Sequence, residues 1–232
     1  MVREIVFDTE TTGFYADKDD RLVEIGAVEL INHVPTGNFY HQYINPERDM
    51  PEEAFKVHGL SEEYLRGFPT FREVADQWID FIGDAVLVAH NASFDIKFLN
   101  CEFKRINRPE ISWDRVVDTL EIARTLFPGQ RVNLDALCKR YGVDNSDRTK
   151  HGALLDAELL AKVYLELLGG REPSLLLDPD KKAAQSVASE TAVVENIVKN
   201  FREPRLFPIS EEELKAHEEF LANKLKEAVW NT

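Results

Sequence analysis

Apolar and polar positions alternate with period two in the opening third of the chain, and the period lengthens towards 3.6 over most of the remaining residues. Arg3 to Glu10 places Ile5, Val6 and Phe7 directly ahead of Asp8-Thr9-Glu10 and predicts a central strand. Arg21 to Ile31 predicts a second strand. Pro35-Thr36-Gly37 predicts a turn into a third, Asn38 to Ile44, whose aromatic–polar alternation suits a half-exposed antiparallel position. Pro51 to His58 and Ser61 to Arg66 read as short helical turns separated by Gly59. Thr70, with Glu73 at capping-box spacing, opens a helix whose inner face carries Val74, Trp78, Ile79 and Ile82.

Ala85 to Ala89 is a continuous apolar run, the pattern of a strand buried on both faces. His90-Asn91 ends it, and Asn91 is placed to cap a helix carrying Phe94, Phe98, Leu99 and Phe103. Val116 to Asp118 predicts a fifth strand. Helices are expected over Thr119 to Phe127, Leu134 to Tyr141 and His151 to Leu168, the last with Leu155, Leu159, Leu160, Val163 and Leu167 facing inward. A three-strand meander followed by alternating strands and helices predicts an α/β fold, a mixed five-stranded sheet flanked by helices. The domain is expected to span 1–170. Residues 171–189 lack an apolar period and read as a linker. Residues 190–232 come next as a helical tail with two stripes, Val193 to Phe201 and Leu214, Leu221, Leu225 and Val229, the second capped by Ser210 and Glu213. A tethered amphipathic pair suits a groove on another protein.

Composition narrows the class. The chain has 232 residues, 44% of them hydrophobic, enough for one full domain and an appendage. Two cysteines, Cys101 and Cys138, fall in helical patterns and read as reduced thiols. No signal-peptide core or membrane-spanning run is visible, so the expectation is a cytoplasmic protein without membrane contact. The formal charge of −14 excludes a broad basic grip on DNA. It leaves room for a nucleic-acid enzyme that meets phosphate through cations and borrows its hold from a partner.

Candidate chemistry starts from Asp8 and Glu10. Two residues apart on a strand, they point to one side. Like charges at a buried strand end lose hydration, and a divalent cation with oxygen ligands is the simplest compensation. A lone Asp-x-Glu is more often a solvated strand end, so further acids must join it. Asp95 lies one turn into the helix after His90-Asn91, and Asp156 sits among leucines and alanines. His151 precedes Asp156 by five residues, about 140° apart around a helix, so both reach one site only if His151 precedes the helix. Gly152 makes that break easy, and a histidine there is suited to act as general base.

Asp8-Thr-Glu10-Thr-Thr-Gly13, Asn91-Ala-Ser-Phe-Asp95 and His151-Gly-Ala-Leu-Leu-Asp156 resemble, in order and spacing, the three motifs of the DEDDh 3′–5′ exonucleases, nearest to the branch that proofreads for bacterial replicases. The resemblance is strong over 1–170 and looser in the tail. It implies a ribonuclease-H-like fold and hydrolysis with two divalent cations, Mg²⁺ or Mn²⁺. Asp8, Glu10, Asp156 and Asp95 would be the ligands and His151 the base. Glu53-Ala-Phe-Lys-Val-His58-Gly59 resembles the family's 3′-nucleotide pocket, which implies that Glu53 and His58 contact the terminal nucleotide with Thr9, Asp8, Glu10 and Asp156. Asp118 matches a supporting acidic position. The substrate implied is a single-stranded or frayed DNA 3′ end, cut to 5′-monophosphates.

The tail resembles one that binds the alpha (polymerase) subunit of a DNA polymerase III-type replicase through residues 190–232. Glu172-Pro-Ser-Leu175-Leu-Leu177 resembles a sliding-clamp segment, with Glu where the family carries Gln. A carboxylate cannot donate as an amide does, so a weak clamp contact is implied. Two other readings are an exoribonuclease of the same motif set and a non-catalytic polymerase scaffold. A full set of four acids and a histidine disfavours the scaffold, and the long tail disfavours the exoribonuclease.

Overall fold

A computed structural model describes residues 2–146, 148, 150–169 and 210–224. The chain divides into two compact units, 1–177 and 178–232. Five strands among the described residues form one sheet in the order β3-β2-β1-β4-β5. These are β1 (Arg3–Thr11), β2 (Leu22–Ile31), β3 (Val34–Tyr43), β4 (Val86–Ala89) and β5 (Val116–Asp118). β1 is central, antiparallel to β2 and parallel to β4. Helices α1 (Glu52–His58), α2 (Glu62–Leu65) and α3 (Phe71–Ile82) precede β4, and α4 (Ala92–Arg105) follows it. Then come α5 (Thr119–Leu126), α6 (Leu134–Tyr141) and α7 (Ala153–Leu167). The mixed sheet covered by helices is the architecture expected from the pattern.

The expected turn at Pro35–Gly37 is displaced. β3 starts at Val34 and pairs Val34 with Ile31 and Pro35 with Leu30. The hairpin turns at Asn32-His33, both with positive φ (49° and 64°). That is the two-residue connection whose twist matches the strands. Pro35 is tolerated because β3 is an edge strand. The capping box is as expected, with the Thr70 amide donating to Glu73 Oε2 at 2.7 Å.

Two cores lie on opposite faces of the sheet. Ile5 and Phe7 pack with Trp78 of α3 and Phe98 and Phe103 of α4. Val6 and Val88 pack with Leu137 of α6 and Leu159, Leu160 and Val163 of α7. Strand alternation therefore turns Asp8 and Glu10, which share the parity of Val6, towards α7, and Thr9 towards α4. Within the second unit, α8 (Glu211–Lys224) starts at a reciprocal cap, Ser210 amide to Glu213 Oε2 at 3.0 Å and Glu213 amide to Ser210 Oγ at 3.2 Å. The linker, the clamp-like segment and the first tail stripe lie outside the described residues.

Candidate active site

α7 reaches the sheet because residue 26 has no side chain. Gly26 is paired with Asp8 across β1 and β2. A β-carbon built on it would stand 2.1 Å from the Leu154 nitrogen and 2.2 Å from the Ala153 carbonyl carbon. The first turn of α7 thus lies directly on β2 beside Asp8 and brings Asp156 with it. Gly152 is the N-cap, with φ −152° and ψ 122°. That is ordinary extended backbone, so the break before the helix does not depend on glycine. His151 precedes the helix as the spacing required, and its amide donates to the Val57 carbonyl at 3.3 Å.

Asp95 arrives from α4 on the other side of β1. It is 3% exposed and accepts a hydrogen bond from Thr9 Oγ1 at 2.6 Å. Asn91 occupies the cap position of α4 in a left-handed conformation (φ 66°, ψ 49°), and its side chain does not cap the helix. Its amide instead donates to Asp118 Oδ1 at 3.0 Å, and the same oxygen caps α5 through the Leu120 amide at 2.9 Å. Asp118 therefore ties the start of α4 to the start of α5.

Asp8, Thr9, Glu10, Glu53, His58, Asp95 and His151 line one cavity of about 470 Å³, together with Phe14, Tyr15 and Phe94. Asp156 is 2% exposed and is not on the cavity wall. Its neighbourhood still belongs to the cluster: one ligand atom each of Glu10, His151 and Asp156 lie within 4.8 Å of one another. Both Asp156 oxygens are held by Arg148, with Nε to Oδ1 at 2.5 Å and Nη2 to Oδ2 at 2.8 Å.

The electrostatics reflect crowded acids. Burial, followed by Asp95, Glu10 and Asp156, pushes the Asp8 carboxyl well above the usual range. Burial, then Glu24, Asp156 and Asp95, pushes Glu10 up to about 8. Burial raises Asp95 to about 7 against the opposing Thr9 hydrogen bond. Burial also acts upward on Asp156, but His151, in its protonated form, and Arg148 outweigh it and hold that carboxyl below its ordinary value. Three carboxyls that resist ionisation in one cavity are a donor set short of positive charge. Hard oxygen donors with an imidazole alongside fit divalent cations.

His58 is buried, and its Nδ1 accepts from the Leu60 amide at 3.0 Å. The remaining ring nitrogen, Nε2, has no hydrogen-bond partner; it faces the Thr11 carbonyl without closing a bond on it. The ring is therefore neutral, with its proton on the buried Nε2. Burial lowers its pKa, in keeping with that state. Glu53 is exposed, on the first turn of α1 at the cavity wall. The loop after β1 is fixed by Asp20, which accepts from the Tyr15 amide at 2.9 Å and from Thr12 Oγ1 at 3.2 Å. This leaves Phe14 and Tyr15 at the rim, 74% and 56% exposed.

Periodicity and motif spacing do not single out Gly26, Glu24, Arg148 or the aromatic rim. A glycine inside an apolar strand is a signal of close backbone approach, and Gly26 carries that signal. Glu24 is paired with Glu10 across the sheet and bonded to His41 at 2.7 Å, a contact that depends on strand register. Arg148 lies in a polar run with no periodicity to mark it.

The chain is similar to known proteins over most of its length. The exonuclease family model matches residues 5–164. The DNA polymerase III subunit epsilon of Rickettsia conorii is 48% identical over 236 residues, covering 98% of each chain. That of Escherichia coli is 44% identical over 225 residues, covering 94% of this chain and 91% of its own. Among solved structures, exonuclease X in complex with 5′ overhanging duplex DNA is 26% identical with a TM-score of 0.55, covering 72% of this chain and 91% of its own. The nuclease domain of 3′hExo, a DEDDh family member bound to rAMP, shares the fold at a TM-score of 0.62 and 18% identity, covering 72% and 91%.

Proposed function

The chain belongs to the exonuclease family, and within it to the epsilon subunits of DNA polymerase III, and from that premise we propose a proofreading reaction at the cavity beside β1. In this reading the enzyme removes mismatched nucleotides from a DNA primer 3′ end as 5′-monophosphates. The observation that carries it is the convergence of Asp8, Glu10 and Asp95, with His151 beside them, on one cavity that a nucleotide fits. Family membership brings dependence on divalent cations. The finer assignment proposed here is two ions, Mg²⁺ or Mn²⁺, held by Asp8, Glu10, Asp95 and Asp156. Held by these residues, divalent cations would supply charge stabilisation for the phosphodiester displacement.

The chain's own groups supply the rest. His151 takes the proton of the attacking water. His58, Glu53 and Thr9 border the pocket and contact the terminal nucleotide there, Thr9 through its main chain. Phe14, Tyr15 and Phe94 offer apolar faces against which a base can stack. A cavity that takes one unstacked end favours a mismatch, because a mismatched terminus frays at lower cost than a paired one.

The proposed division is an exonuclease domain over 1–170, a linker over 171–189 with a weak clamp contact at Glu172–Leu177, and a polymerase-binding tail over 190–232. The amphipathic stripes of the tail and the net acidity of the chain support this division, since the grip on DNA then comes through a partner. The test is hydrolysis of DNA and RNA oligonucleotides of matched sequence by the purified chain. Faster release from DNA 3′ ends is expected, and a strong preference for RNA would replace this reading with the exoribonuclease one.

A further inference from the structure

We propose that Arg148 is an internal counter-cation. It holds Asp156 and His151 in a resting arrangement and must release both before divalent cations bind. The inference rests on the metal-site reading above and goes beyond it, because it assigns a role to a residue outside the carboxylate–histidine set.

Four contacts define the arrangement. The guanidinium grips Asp156 with two hydrogen bonds, Nε to Oδ1 at 2.5 Å and Nη2 to Oδ2 at 2.8 Å. Nη1 donates to Asp135 Oδ1 at 2.6 Å. Nη2 also donates to His151 Nδ1 at 2.9 Å. The Arg148 side chain is 8% exposed and Asp156 is 2% exposed, so the grip is shielded from solvent, where charge-assisted bidentate pairs are strongest.

Donor and acceptor chemistry has two consequences. Arginine has no acceptor, so His151 Nδ1 must accept, and its proton sits on Nε2. The lone pair on the nitrogen facing Asp156, 3.4 Å from Oδ2, is thereby occupied. A base cannot take a proton at an occupied nitrogen. Asp156 is also engaged, since each of its oxygens already accepts from the guanidinium and a cation would have to compete with that fork. The same guanidinium therefore withholds a ligand and a base together, and its departure frees both.

The location suits displacement. Asp8, Glu10 and Asp95 lie on the cavity wall, whereas Asp156 does not. The backbone carrying Arg148 and His151 meets α1 through the His151 amide and the Val57 carbonyl, and Lys150 lies over the Phe55 ring at 5.3 Å. Val57 also lines the cavity. A nucleotide that presses on α1 thus meets the segment that must let go.

The test is calorimetric titration of Mn²⁺ into the full chain and into Arg148→Gln and Arg148→Lys, with thermal unfolding before and after saturation. Loss of a competing bidentate cation should tighten Mn²⁺ binding to Arg148→Gln by about tenfold or more. Arg148→Lys, a point charge without the fork, should fall between the two. The cation-free melting temperature of Arg148→Gln should drop, and saturating Mn²⁺ should close most of that gap. Imidazole ¹⁵N spectra of the cation-free parent should show His151 as the Nε2–H tautomer, a bias that Arg148→Gln loses. Equal or weaker Mn²⁺ affinity in Arg148→Gln would overturn the proposal while leaving the metal site standing. Absence of Mn²⁺ binding to the parent would instead sink the metal site on which it rests.

Discussion

Gly26→Ala tests how finely the packing of α7 sets the chemistry. The added methyl would meet the Leu154 nitrogen at 2.1 Å, the Ala153 carbonyl carbon at 2.2 Å and the Leu154 α-carbon at 2.4 Å. All three are backbone atoms in the first turn of α7, so no side chain can rotate away. Restoring an ordinary contact of 3.4 Å requires a shift of 3.4 − 2.1 = 1.3 Å, shared between helix and strand. Asp156 lies two residues beyond Leu154 and must move with that turn, as must His151 just before it. A displacement of about 1 Å in a reacting constellation can lower the rate ~100-fold. Overpacking of this kind costs about 1–3 kcal/mol, which for a domain of this size lowers the melting temperature by roughly 2–12 °C. Hydrolysis of a single-stranded oligonucleotide at saturating Mn²⁺ gives kcat, and thermal unfolding of the same preparation separates displacement from loss of fold. The expected outcome is a folded variant with kcat reduced about 100-fold. Parent-like kcat at a parent-like melting temperature would refute the claim that bare backbone at residue 26 delivers Asp156.

The same site sets further outcomes. Without cations Glu10 keeps its proton to about pH 8 and Asp95 to about 7, against ordinary values of 4.5 and 3.8. The folded state then binds protons that the unfolded chain has released, so this contribution is complete below the ordinary values and is lost as pH rises through 7 and 8. The cation-free melting temperature should fall across that window, less steeply in Glu10→Gln, and saturating Mn²⁺ should remove the difference; identical slopes would contradict the shift. Asp8→Asn removes a carboxyl that burial and its neighbours disfavour, so it should raise the cation-free melting temperature while removing most of kcat; a destabilised but active variant would contradict it. Deleting residues 190–232 should abolish co-purification with the polymerase subunit and spare hydrolysis of short oligonucleotides, whereas loss of both would place the tail within the catalytic fold.

Much of this site is legible in the sequence because its chemistry and its secondary structure share a period. Asp8 and Glu10 on one strand face follow from spacing, whereas the apolar pattern carries the last helix back to His151 and only the five-residue offset from Asp156 requires the start that the structure shows, at Ala153. The hairpin turn is misread because Pro35 and Gly37 are louder turn signals than Asn32-His33, although an edge strand accommodates both residues. Asn91 sits at the right position for the wrong reason: its left-handed backbone and its bond to Asp118 matter, and its side chain does not cap. Arg148 is hidden because its role depends on the path of an aperiodic segment back to Asp156, Asp135 and His151. The kinds of strand and their order are readable from pattern, whereas the exact hairpin turn and counter-ion pairing across the site are not.

The most direct test of the central claim is release of 5′-monophosphates from a primer with a mismatched 3′ end, with Mg²⁺ or Mn²⁺ and with a chelator, by the parent chain and by Asp8→Ala. The account predicts cation-dependent release from the 3′ end, faster at a mismatch than at a paired terminus and abolished in Asp8→Ala. Hydrolysis that survives in Asp8→Ala, or that proceeds equally in chelator, would contradict it.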